Sequence, residues 1–160
     1  MATLTLSYRQ DPETVLRFLT DPERVKARSE AFGEREVRVT VDGGTVTATR
    51  IVDAEVPSFA RKLVKPSNQV TDIKKWNLAT KTATFSVDVR GVPVTIAGEI
   101  ALAARAGGGA DCTVRFEVTC KIPLIGGTLA KHVTGMTENG LRREFEWNQR
   151  GLDELAAKAS

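Results

Sequence analysis

The 160-residue chain predicts an α+β fold, with a curved antiparallel sheet of about seven strands clasping a long C-terminal helix. Three observations predict it. From Asp111 to Ile122 the residues alternate: Cys112, Val114, Phe116, Val118, Cys120 and Ile122 share one face, and Thr113, Arg115, Glu117, Thr119 and Lys121 the other. Such a strand is dry on one side and wet on the other. A break at Pro123-Leu124-Ile125-Gly126-Gly127 then leads into some thirty residues of helical spacing. Upstream, the strand-like segments are separated by connections too short for helical crossovers, so neighbouring strands run antiparallel.

Taken in order, Ala2 to Tyr8 reads as a first strand with Leu4, Leu6 and Tyr8 on one face. Asp11-Pro12-Glu13 opens a helix with an N-cap carboxylate, proline at the first position and an acid in the first turn. Asp21-Pro22-Glu23 repeats the device and opens a second helix through about Ser29. Glu34 to Val41 alternates through Val37, Val39 and Val41, and Asp42-Gly43-Gly44 turns the chain into a return strand, Thr45 to Asp53. Pro57 to Val64 mixes Phe59, Leu63 and Val64 with Arg61 and Lys62, which fits a short helix or structured loop. Val70–Leu78, Ala83–Val89, Val92–Ala104 and Asp111–Ile122 complete the strands. The last helix, Gly127 to about Ala157, spans roughly 45 Å. Its apolar stripe is Leu129, Val133, Met136, Leu141, Phe145, Leu152 and Leu155, with Trp147 at the flank.

Composition bounds the function. An apolar share of 41% and a charged share of 27% describe a globular chain, and the length suits one domain, 1–160. The net charge of +3 is read as spread along the chain, which argues against a nucleic-acid partner. No stretch approaches the roughly 20 apolar residues of a membrane span, so stable membrane insertion is not expected. No signal peptide is apparent in Met1 to Gln10. Cys112 and Cys120, on one strand at ~3.4 Å per residue, lie about 27 Å apart, beyond the ~7 Å reach of a disulfide. Both read as reduced thiols of a cytoplasmic protein. One histidine and two distant cysteines make no metal-ligand set, and nothing calls for a cofactor.

The order strand, two helices, six strands, long helix resembles the helix-grip fold of the START and birch-pollen-allergen-like superfamily, also called SRPBCC. Two runs are similar to a mainly actinobacterial family of unknown function within it. One is Thr82-Ala83-Thr84-Phe85-Ser86-Val87-Asp88-Val89 followed by Gly91-Val92-Pro93-Val94, and the other is Ile122-Pro123-Leu124-Ile125-Gly126-Gly127. The resemblance implies a cavity between the concave sheet and the helix, suited to lipids, sterols or polyketide-like molecules. Some members of that superfamily are polyketide cyclases or aromatases, and others bind protein partners.

The expected occupant is a hydrophobic small molecule. Val39, Trp76, Phe85, Val87 and Ile96 on the strands are candidate walls, with Phe116 and Val118 beside them. Leu129, Val133 and Met136 would form the roof. Plain core has the same pattern. Asp72 and Lys74 share phase with Val70, Trp76 and Leu78, so one register turns them inward; bending of a long strand favours the outward one. Arg50 poses the same choice, and a strand-end arginine reaching solvent is the simpler reading. His132, the lone histidine, sits one position off the helical stripe and has no readable catalytic partner. Gly135, Gly140 and Gly151 interrupt the helix, each costing about 1 kcal/mol against alanine, and close approach of helix to sheet is the favoured explanation. Phe59 and Leu63 suit ordinary covering structure, a lid or, with the nearby cations, contact with a membrane surface. Ligand binding is thus the leading expectation. A cyclase- or aromatase-like enzyme, and an interaction module with a vestigial cavity, are the alternatives. The oligomeric state stays open.

Overall fold

The computed structural model describes residues 1–159. The expected domain, 1–160, therefore reaches one residue beyond them. Strands β1 (Ala2–Tyr8), β2 (Arg35–Asp42), β3 (Thr45–Asp53), β4 (Ser67–Asn77), β5 (Thr82–Val89), β6 (Val94–Ala104) and β7 (Ala110–Cys120) form one sheet in the order β1-β7-β6-β5-β4-β3-β2. Every neighbouring pair is antiparallel. Helices α1 (Pro12–Leu19) and α2 (Pro22–Ala31) follow β1, and α3 (Gly126–Ala159) closes the chain. A single 3₁₀ turn at Ser58–Ala60 occupies the segment expected to be a short helix or loop.

Local chemistry explains the boundaries. Asp11 accepts the Thr14 amide at 2.7 Å and Asp21 the Glu23 amide at 3.0 Å, each ahead of a proline that needs no N–H partner. Gly98, in the middle of β6, faces Phe116 across the β6–β7 pair. An added Cβ there would lie 1.9 Å from the Arg115 carbonyl oxygen, so only glycine lets the two long strands close up at that point.

Helix α3 packs mainly on β7 and β1, with further contacts to α1 and α2. Its C-terminal half is the tight half. Leu152 is fully buried, and Gly151 sits so close to the Phe18 ring that a Cβ would come within 2.7 Å of it. Polar groups complete the seat. Asn148 donates to the Tyr8 hydroxyl (3.2 Å) and accepts from Arg28 (3.1 Å), while Gln149 accepts the Arg9 amide (3.0 Å) and donates to Gln10 (2.8 Å). Burial pushes the Tyr8 phenol above its ordinary pKa, opposed in part by the Asn148 hydrogen bond.

The N-terminal half of α3 is different. Open space surrounds an added Cβ at Gly135 and at Gly140, so of the glycines at 135, 140 and 151 close approach accounts for Gly151 alone. Met136 and Leu155, expected on the buried stripe, are exposed. The reason is the buried Asn148 and Gln149: the face that meets the sheet is set by their hydrogen bonds as well as by the apolar period.

The contrast is measurable. Phe116 is completely buried, so Phe116→Ala should cost about 3–5 kcal/mol in chemical denaturation. Met136→Ala should change stability by no more than about 0.5 kcal/mol. Equal losses would contradict the loose seating of the N-terminal half of α3.

Candidate functional site

Between that loosely seated half of α3 and the β3–β6 part of the sheet lies a chamber of about 330 Å³. Its sheet wall is Val70, Phe85, Val87 and Ile96, and its helix wall Leu129, Val133, Met136 and Gly140. Val56, Pro57 and Val64 close one end from the β3–β4 loop. Six of the expected wall residues, Phe85, Val87, Ile96, Leu129, Val133 and Met136, do line it. Trp76 lines a smaller recess of about 80 Å³ behind it, room for a few waters rather than a ligand body. Val39, Phe116 and Val118 line neither space. Phe116 and Val118 lie on β7, the strand on which α3 rests most closely, and Val39 is on the edge strand β2, packed against the main core.

Chamber and recess share a charged wall made of Glu34, Arg50, Asp72, Lys74 and Glu144. Lys74 Nζ lies 2.9 Å from Asp72 Oδ2, Arg50 Nε 3.3 Å from Glu34 Oε1, and Arg28 3.9 Å from Glu144. Ser29 also donates to Glu34. Three cations thus face three carboxylates across the interior. These positions overturn the outward readings of Asp72, Lys74 and Arg50. Strand β4 pairs without interruption with β3 on one side and β5 on the other, so no bulge changes its phase. Buried Trp76 and Val70 then commit Asp72 and Lys74 to the concave face. Arg50 follows from the same register, opposite Val70.

Three buried polar atoms have no hydrogen-bond partner in the protein: Arg50 Nε and Asp72 Oδ1 at this wall, and Trp76 Nε1 beside the recess. The Arg50–Glu34 pair is close enough for attraction but is not aligned for a hydrogen bond. Two unused donors and one unused acceptor are a demand for polar groups, since each such atom costs about 1–3 kcal/mol when unsatisfied. His132 is exposed and lines the chamber from α3. Among the described residues no group of three or more His, Cys, Asp or Glu could hold a metal ion, and no helix is long and apolar enough to cross a membrane.

Cys112 faces the recess, where burial pushes its thiol up to about 12, Glu144 adding to the effect and Lys74 opposing it. Cys120 is half-buried at the strand end, and both thiols are free. A thiol reagent in mildly alkaline buffer should therefore modify Cys120 and leave Cys112 untouched until the protein is unfolded. Rapid labelling of both would contradict the closed recess.

The fold has solved counterparts. Protein TTHA0849 from Thermus thermophilus superposes with a TM-score of 0.70 at 15% identity, covering 98% of this chain and 97% of that one. The Zhui aromatase/cyclase from a Streptomyces species gives a TM-score of 0.70 at 12% identity, covering 95% and 92%. Ara h 8.0201 gives 0.66 at 13% identity, covering 96% and 97%. At these identities the likeness is one of fold, the curved seven-stranded sheet with its long C-terminal helix. Comparison with curated protein sequences gives no match. A family model matches residues 3–150, and on that match the chain belongs to DUF2505, a family of proteins of unknown function.

Proposed function

We propose that the protein binds a small, mainly apolar molecule with one polar end. The body lies in the chamber and the polar end at the Arg50–Asp72 wall. The observation that carries this reading is the pairing of an apolar chamber with unpartnered polar atoms at one of its walls. Stability alone favours neither feature. An interior filled with valine and leucine would remove the cavity, and apolar residues in place of buried ion pairs are often neutral or stabilising. At about 330 Å³ the chamber is at the lower end of pockets that enclose drug-sized ligands. That size suits a short lipid or a compact ring system better than a long acyl chain. Phe85, Val87, Ile96, Leu129, Val133 and Met136 supply the apolar contact. A carbonyl or carboxylate on the ligand would accept from Arg50, and a hydroxyl would donate to Asp72. Localisation in the cytoplasm and the absence of a nucleic-acid partner belong to the same reading.

A second reading rests on one specific observation, the inward ion pairs. Asp72 and Lys74, at 2.9 Å, are a proton acceptor and donor facing the same interior. With an aromatase/cyclase among the solved counterparts, cyclisation or dehydration of an oxygenated substrate is the enzyme version of this site. It differs from simple binding in one respect: the ligand leaves chemically changed.

Gly140 provides the test. It lines the chamber, an added Cβ there meets nothing, and replacing a helical glycine is itself favourable by about 1 kcal/mol. Gly140→Leu should therefore keep or raise stability while abolishing displacement of a fluorescent apolar probe. Gly135→Ala, outside the chamber, should leave displacement unchanged. Native mass spectrometry of the protein from its own host should show a retained molecule in the wild type and none in Gly140→Leu. Equal probe binding by both proteins would refute the chamber as the site. A retained molecule that differs between wild type and Asp72→Asn by loss of water would select the enzyme version.

A further inference from the structure

We infer that the end of the sheet at which the chamber is closed is a docking surface for an anionic lipid bilayer. Three loops meet there: 54–66 between β3 and β4, 90–93 between β5 and β6, and 121–125 between β7 and α3. They share a satellite core, in which Ala60, Val94 and Leu129 are buried and Val56, Val64, Val92, Ile122 and Ile125 pack against them. Lys121 donates its amide to the Pro93 carbonyl, tying two of the loops directly.

On the outside of this small core the chain places three large apolar side chains in solvent: Phe59, Leu63 and Leu124. Leu124 is the extreme case. Its side chain is fully exposed and its backbone has φ of 71°, a region that disfavours a branched aliphatic residue. Folding gains nothing from leucine at such a position. An outlier of this kind motivates a functional reading when other observations agree with it.

Charge supplies that agreement. The three loops carry Arg61, Lys62, Lys65, Arg90 and Lys121, all exposed, against the single carboxylate of Glu55. Five cations less one anion leave +4, which exceeds the +3 of the whole chain. The rest of the protein is therefore slightly acidic, and the positive excess is not spread along the sequence as expected but gathered at one end. Among the described residues none of these five cations is in an ion pair. Exposed apolar tips ringed by unpaired cations match a bilayer that offers hydrocarbon beneath anionic head groups. A nucleic acid would leave the apolar tips without a role, and a protein groove would not require cations on three separate loops. The same loops supply Val56, Pro57, Val64 and Val92 to the chamber wall, so docking would set the chamber against the lipid surface. Docking is peripheral. It stands on different residues from the proposed ligand site, and each can fail without the other.

The test is co-sedimentation of the full chain with phosphatidylcholine vesicles, with and without phosphatidylglycerol. Binding is expected to the anionic vesicles at low salt, to be lost at high salt, and to be absent with phosphatidylcholine alone. Each of Arg61→Gln, Lys62→Gln, Lys65→Gln and Lys121→Gln should weaken it about fivefold. Leu124→Asn should weaken it about tenfold while leaving the melting temperature unchanged or higher, because asparagine tolerates that backbone conformation. Probe displacement by Leu124→Asn without vesicles should equal that of the wild type, which separates loss of docking from loss of the chamber. No binding to anionic vesicles at low salt would overturn the inference. So would binding indifferent to all five substitutions, or self-association in sedimentation velocity that the same substitutions abolish.

Discussion

The architecture depends on how α3 is held. Its C-terminal half is fixed to β1 and the first two helices by Asn148 and Gln149, whose side chains satisfy Tyr8, Arg9, Gln10 and Arg28, and by Gly151 against Phe18. Buried amide side chains demand particular partners in particular directions, whereas apolar contacts tolerate sliding and rotation. Once the helix is fixed at that end and rests on β1 and β7, its first half meets β6 only near its start, where Leu129 packs with Val94, and stands off the middle of the sheet. The chamber is the volume left by this one-sided attachment. Arg9 and Asp153, paired at the surface beside Gln10, extend the same clasp outwards.

The charged wall follows from sheet geometry. A strand paired on both sides keeps its two-residue period, so a polar residue in an inward position stays inward whatever its cost. Arg50, Asp72 and Lys74 therefore stand on the concave face among valines and Phe85, and they reduce that cost by pairing with Glu34 and with each other. Pairing is incomplete: Arg50 Nε and Asp72 Oδ1 are buried at this wall without a hydrogen-bond partner. Together with the open volume beside Met136 and Gly140, this makes the middle of the sheet the interior region that packing alone does not complete.

Two ends of the same sheet thus have different characters. At one, β1, the first two helices and the second half of α3 interlock through aromatic contacts such as Tyr8 with Phe145 at 4.7 Å and Phe18 with Trp147 at 6.0 Å. At the other, three loops gather a small core, the chain's positive excess and its fully exposed Leu124. The chamber runs between them, bordered by tight packing on one side and by loops on the other.

Local sequence determined the elements. Alternation in Asp111–Ile122 and the two Asp-Pro-Glu starts carry their own structural instructions, and β1 and β3 begin and end where their patterns do. Apolar character also marked six of the chamber-lining side chains, because a cavity wall and a packed core obey the same period. What only the tertiary structure decided was where those side chains lack neighbours. Phe116 and Phe85 look alike in sequence, yet one is sealed in the main core and the other faces open volume. The inward turn of Asp72, Lys74 and Arg50 likewise depends on uninterrupted pairing with neighbouring strands. So does the placing of Leu124, Phe59 and Leu63 at one end of the sheet depend on segments far apart in the chain. Elements are set by interactions a few residues apart; vacancy, register and surface charge are set by which segments meet, and no single segment contains that information.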